Sequence, residues 1–258
     1  MFGAIIGDIS GSRFEWHNIK HKKFDLLNDE CFFTDDSVMT IAVAKALHES
    51  KLHNYQDLDK QLDYWMHEIG KRYPNCGFGG RFYYWIMDDE HVPYNSFGNG
   101  SAMRTSECGF IATSLDEALD LAERCAAITH NHPEGIKGAK ATTAAIYLSR
   151  IGCNKEEIKQ YIEENFYKLD FTLDKIRDTY KFNETCQDSV PQAIEAFLEA
   201  DSFEDTIKNA ISLGGDSDTL AAIAGGIAQG YYGLDESLVD KAKEYLDDYL
   251  LDIIDTIY

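Results

Sequence analysis

An all-α fold, a compact helical bundle of one domain over residues 1–258, is what this chain predicts, and three observations carry the prediction. Few stretches alternate apolar and polar residues with period two, and only four prolines interrupt the sequence. One stretch, Ser212 to Gly233 (SLGGDSDTLAAIAGGIAQGYYG), carries no charge from Thr219 to Gly230, and seven of those twelve residues are Ala or Gly. A helix that is apolar on all sides and this slim belongs at the centre of a bundle, with the other helices stacked around it. The length is sufficient to bury a full core.

The mouth of that helix is polar. Two glycines allow a sharp turn before Asp216, Asp218 and Thr219, and Asp216 or Ser217 can cap the helix. Carboxylates at a helix N-terminus are favoured by the dipole, and they offer hard oxygen ligands suited to Mg, Mn or Ca. A capped core helix with spare acids in its loop would account for the same residues. A second cluster decides between the two: in FFTDDSVMTIAVAKAL (32–47), Thr34, Asp35, Asp36 and Ser37 precede Val38, Ile41 and Ala42 on one helical face. Two acid-plus-hydroxyl clusters, each feeding a small-residue helix, predict helix mouths that face each other and form a dinuclear metal site.

The remaining elements follow in order. Residues 3–15 (GAIIGDISGSRFE) combine an apolar run, Asp8, glycines at 7 and 11, and Glu15. A glycine-relaxed turn would swing Glu15 towards the site; otherwise it is a solvated loop carboxylate. Leu58, Leu62, Trp65 and Ile69 keep helical spacing, and KRYPNCGFGGRFYYW then reads as a loop beside a pocket, its aromatics packing the rim. Residues 95–104 (NSFGNGSAMR) form a glycine-punctuated loop leading into a helix, a backbone that exposes amides to a phosphate. Ser114 and Glu117 form a capping box for a helix with Leu115, Ala118, Leu119, Ala122 and Cys125 inward. That helix ends at THNHPEGIKGAKATTAA, which places His130 and His132 in a Pro/Gly loop. Since the nearby donors are all oxygens, substrate contact or loop structure outweighs metal ligation for these histidines. Further helices are marked by Ile158, Tyr161, Ile162 and Phe166; by Ser189 and Pro191 ahead of Ala193, Ile194, Phe197 and Leu198; and by Ser202 with Asp205 as a cap. Residues 236–256 read as one amphipathic segment through Leu238, Ala242, Leu246, Tyr249, Leu250 and Ile253.

Lys+Arg total 24 and Asp+Glu 45, a net charge of −21, which argues against a non-specific grip on nucleic acid or on an anionic membrane. A phosphate ligand would then need metals, backbone amides and helix ends. The six cysteines form no CxxC and read as ordinary thiols of a reducing compartment. No basic n-region or uninterrupted apolar run opens the chain, and the longest uncharged run is glycine-rich and short for a membrane span, so a soluble cytoplasmic protein is expected.

Taken together, GDISGSRFE (7–15), FTDDS (33–37), FGNGSAMR (97–104), THNHPEGIKGA (129–139) and GGDSDT (214–219) resemble the ADP-ribosylglycohydrolase family, in the family's order and over residues 3 to about 233. The pairing of TDD with a distant DSDT is the specific part. The resemblance implies an orthogonal all-α bundle holding two Mg ions, or Mn, that hydrolyses the bond between ADP-ribose and an acceptor. It implies Thr34, Asp35, Asp36, Asp216, Asp218 and Thr219 as metal ligands, Asp218 bridging, and Glu15, Asp35, Asp36 and Asp218 as the catalytic set. Ser96, Phe97, Gly98, Asn99 and Gly100 match the loop that holds the diphosphate and stacks on adenine, with Phe97 in place of the more usual tyrosine, and His130 matches a residue near the distal ribose. The implied partner is an ADP-ribosylated protein, on arginine or serine, or another ADP-ribose conjugate, acted on by a monomer. The same fold can also carry a catalytically silent ADP-ribose-binding protein; the intact TDD, DSDT and Glu15 set argues against that.

Overall fold

A computed structural model describes residues 1–258 as fifteen α-helices with no strand, the sole extended pairing being an isolated bridge between Gly98 and Thr185. In chain order the helices are α1 (Phe2–Ser12), α2 (Asp35–Lys51), α3 (Leu58–Gly70), α4 (Gly80–Met87), α5 (Gly100–Met103), α6 (Ser106–Ile111), α7 (Leu115–Ala127), α8 (Pro133–Arg150), α9 (Lys155–Asn165), α10 (Leu173–Ile176), α11 (Val190–Leu198), α12 (Phe203–Ser212), α13 (Ser217–Tyr232), α14 (Glu236–Lys243) and α15 (Asp248–Asp255). All are continuous with one large apolar core.

Helix α13 lies at the centre, buried from Ser217 to Ala228, and α1 runs antiparallel along it. Small residues make this contact possible. A methyl group built on Gly7 would sit 2.0 Å from the carbonyl oxygen of Ala221, one on Gly225 would sit 2.2 Å from that of Gly3, and one on Gly11 would lie 2.5 Å from the Asp218 Cα. The glycines at 7 and 11 therefore sit inside a helix as points of backbone contact and form no turn, which corrects the expectation for residues 3–15. The result for Glu15 is the same by a different route: the antiparallel crossing delivers the end of α1 to the start of α13. Gly7→Ala is expected to destabilise the fold by about 3 kcal/mol, because the obstacle is backbone and cannot move aside. Gly79→Ala, with no atom within 4 Å of the added carbon, should stay within about 0.5 kcal/mol; denaturant midpoints of the two variants test the contrast.

Three other stretches differ from the expectation. The stretch 129–145, read as the Pro/Gly loop that holds the histidines, gives way at Pro133 to α8, most of which is buried. Pro133 occupies its first turn and His132 is its N-cap, the ring nitrogen accepting from the Glu134 N–H at 3.1 Å. Its glycines serve packing, since a methyl on Gly138 would meet Cys186 Sγ at 2.5 Å. The second half of KRYPNCGFGGRFYYW is helix α4, with Phe82, Trp85 and Ile86 buried. The C-terminal segment is two helices, α14 and α15, because the Asp247 side chain accepts from the Leu250 N–H and starts a new one. The Ser114 and Ser202 side chains each accept from the N–H three residues on, but the Ser114–Glu117 capping box does not close, because the Glu117 carboxylate accepts from the N–H and hydroxyl of Thr113, each at 2.6 Å.

Candidate active site

Thr34 ends an extended stretch and caps α2, its hydroxyl accepting from the Asp36 N–H at 3.4 Å. From α1, Asp8 reaches across and fixes this cap. One of its oxygens accepts from Thr34 Oγ1 at 2.6 Å; the other accepts from the N–H groups of Thr34 (2.9 Å) and Ser37 (3.0 Å) and from the Ser37 hydroxyl. Asp8 thus acts as a remote cap for α2, a role that sequence reasoning missed because no spacing rule links position 8 to position 34.

Gly214 and Gly215, both at positive φ (67° and 75°), turn the chain into α13. Asp216 stands at the N-cap position but makes no cap; its Oδ2 accepts from Asn99 Nδ2 at 2.7 Å. Thr219 Oγ1 donates to Asp36 Oδ2 at 3.1 Å, so the heads of α2 and α13 are in direct contact. Carboxylate oxygens of Asp8, Asp36 and Asp218 lie within 4.8 Å of one another, as do those of Glu15, Asp216 and Asp218. Asp218 belongs to both groups.

No lysine, arginine or histidine forms an ion pair with any of these acids. Burial first, and then mutual repulsion, pushes the carboxyls of Asp35, Asp36 and Asp218 well above the usual range. Glu15, half-buried, is raised to about 7 by burial, then by Asp216 and Asp8. Asp36 Oδ1 is buried with no hydrogen-bond partner at all. Buried acids that lack countercharge and leave an oxygen bare are costly unless a cation joins them, so this donor set of carboxylates and hydroxyls fits hard divalent ions.

Above the acids opens a cleft of about 260 Å³. Glu15, Asp35, Asp36, Asp216, Asp218 and Thr219 are among its lining residues, as are Ser96, Gly98, Asn99, Gly100 and His130. Thr34 and Phe97 lie outside this lining. Thr34 is turned to Asp8, while Phe97, 41% exposed, sits at the rim with its ring 5.1 Å from that of His132. The 96–100 loop offers fewer free amides than its glycines suggested, because the Gly98 N–H donates to Ser96 Oγ (3.2 Å) and the Asn99 N–H to the Glu184 carbonyl (2.7 Å). His130 is buried, its Nδ1 2.7 Å from Thr129 Oγ1; burial, then Arg104 and Arg81, holds its pKa well below the usual value, so the ring is neutral. Arg81, Tyr94, Phe182 and Glu184 also line the cleft and were not anticipated. Arg81 alone had a signal, as a cation inside a glycine-rich stretch.

An all-helical fold with two acid-headed helices meeting under a cleft defines a class of protein, and comparison with known proteins identifies which. The sequence profile of the ADP-ribosylglycohydrolase family matches residues 1–258, and the chain belongs to that family. It is 25% identical to the human (Homo sapiens) ADP-ribosylhydrolase ARH3, over 91% of this chain and 84% of that protein. It is 25% identical to the ADP-ribosyl-[dinitrogen reductase] glycohydrolase of Rhodospirillum rubrum, over 79% and 70%, and 28% identical to the ADP-ribosylarginine hydrolase Tri1 of Pseudomonas putida, over 91% and 70%. A solved structure described as an ADP-ribosylglycohydrolase-related protein complex superposes with a TM-score of 0.71 over 99% of this chain and 94% of that one, at 20% identity, which shows a shared fold. No helix is long and apolar enough to cross a membrane.

Proposed function

We propose that this protein is a hydrolase dependent on two divalent cations, Mg or Mn, that releases ADP-ribose from a protein acceptor, arginine or serine. The observation that carries this reading is Asp218, shared by two carboxylate groups, beside Glu15 and the bare Asp36 Oδ1 in the lining of the cleft. Asp35, Asp36, Asp216, Asp218 and Thr219, with Thr34 behind them, would hold the ions, and Glu15 stands close enough to join. Bound there, the ions would supply positive charge to the distal ribose hydroxyls and to a water molecule.

The chain's own residues then have separable tasks. Ser96, the Gly100 end of the loop and Arg81 face the space for the diphosphate, and neutral His130 meets the ribose without adding charge. Glu15, which lines the cleft beside Asp216 and Asp218, can take a proton from the attacking water as its oxygen bonds to C1 of the ribose. The bond from C1 to the acceptor nitrogen or oxygen breaks, and the acceptor leaves with a proton. Phe97 at the rim is the candidate adenine contact. Phe97→Ala should weaken ADP-ribose binding by about 1–3 kcal/mol, and Phe97→Tyr should leave it almost unchanged; equal affinity for both variants would confine Phe97 to packing on His132.

The experiment is a panel of ADP-ribosyl-arginine and ADP-ribosyl-serine peptides, an ADP-ribosylated base and a small ADP-ribose ester, incubated with Mg or Mn and scored for free ADP-ribose. Release from one of the peptides supports the proposal. Tight ADP-ribose binding with no release from any conjugate would make the protein a silent binder.

A further inference from the structure

We infer that Asn18 is a positioning residue that locks Glu15 to the Asp216–Asp218 loop. The inference rests on the hydrolase reading above for its catalytic consequence, and on geometry for the lock itself.

Glu15 lies three residues beyond α1, in an irregular segment, and Asp216 and Asp218 lie 201 and 203 positions later. Their carboxylate oxygens nonetheless fall within 4.8 Å of each other. Apolar packing holds part of this segment, with the Phe14 ring 5.0 Å from that of Phe24 and Trp16 stacked on Phe182 at 5.2 Å, but neither contact reaches the Asp216–Asp218 loop. The Asn18 amide does. Its Nδ2 faces the carbonyl oxygens of Phe14 (2.7 Å), Glu15 (2.9 Å) and Gly215 (2.9 Å), and its Oδ1 accepts from the Gly215 N–H at 2.7 Å. One side chain therefore holds the backbone of Glu15 and both polar groups of the residue before Asp216. A second strap runs in parallel: Lys20 Nζ donates to the carbonyls of Leu213 and of Tyr180 at 2.8 Å.

The glycines of the GGD turn fit the same arrangement. A methyl on Gly214 would lie 3.1 Å from Asn18 Cβ, Asn18 Oδ1 and Lys20 Nζ, and one on Gly215 would lie 2.7 Å from the Tyr180 ring. Both residues sit at positive φ. Thus the turn is bare where Asn18 and Lys20 press against it, and residues 14–20 and 213–216 form one unit. An asparagine is suited to this task because a single planar group offers both donor hydrogens and an acceptor, which neither Asp nor Ser can do. Catalytic groups must be held to about an ångström, and a displacement of that size can cost about 10²-fold in rate.

The test compares Asn18→Ala and Asn18→Asp with the wild-type protein. Asn18→Asp keeps the size and the acceptor for the Gly215 N–H but replaces every donor contact with opposed oxygens. Both variants should lower kcat on an ADP-ribosylated peptide by about 10- to 100-fold, with KM and ADP-ribose affinity within about threefold. Asn18→Asp should be at least as impaired as alanine, which a space-filling role would not produce. Amide deuterium uptake should rise together in residues 13–20 and 212–217 and nowhere else. An unchanged kcat, a loss confined to KM, or uptake that rises in one segment alone would overturn the inference. If the wild-type protein hydrolyses no conjugate, the hydrolase reading fails by itself, and the uptake pattern still decides whether the lock exists.

Discussion

Asp218→Ala is expected to abolish ADP-ribose release and, in calorimetry, to lose both Mg sites together. The reason is its place in both carboxylate groups: with Asp8 and Asp36 on one side and Glu15 and Asp216 on the other, its removal leaves each group one oxygen donor short. Hard cations need six or more oxygens, and waters that filled the gap would not supply a carboxylate's charge. A second consequence separates function from folding. Without metal, Asp218 is a buried carboxyl among like-charged neighbours, so deleting it should leave the melting temperature unchanged or raise it. With Mg in excess the wild-type melting temperature should climb, since an ion that binds the folded state alone stabilises it by mass action, and the variant should show no such climb. Normal two-site Mg binding by Asp218→Ala would mean that the two acid clusters do not act jointly.

How far the sequence discloses this arrangement depends on the range of the interaction. Helix heads are written locally: Thr34-Asp-Asp-Ser and Asp216-Ser-Asp-Thr each announce a helix within four residues, and the structure brings the two together through Thr219 and Asp36. The small-residue composition of α13 likewise discloses its central burial. What stays hidden is whatever one segment does for another. Asp8 reads as an isolated acid, yet it caps a helix that starts 27 residues later. Gly7 and Gly11 read as a flexible turn, since only the partner helix shows that a methyl group there has no room. The glycines of α8 read as loop for the same reason, since only Cys186 shows that Gly138 is a packing contact. Asn18 itself is exposed and carries no signal, because the partner that gives it a role, Gly215, lies 197 residues away.

Glu15→Gln is the sharpest test of chemistry as distinct from architecture. The backbone around Glu15 is held by Asn18, and the hydrogen-bond partner of its side chain is the adjacent Trp16, a contact an amide of the same size can keep, so Glu15→Gln should leave the melting temperature and the ADP-ribose affinity close to wild type. What changes is the basic oxygen. A carboxylate at this position can accept a proton from water and return it to the leaving group. An amide does neither. Loss of a general acid–base group costs about 10²–10⁴-fold, so turnover of an ADP-ribosylated peptide should fall within that range while binding holds. The comparison with Asn18→Ala orders the causes: if Glu15 works through its carboxylate and Asn18 through its position, the double variant should be no slower than Glu15→Gln alone, because a misplaced amide loses nothing further. Turnover by Glu15→Gln close to wild type would assign proton transfer to the aspartates instead, and a collapsed melting temperature would make Glu15 a structural residue.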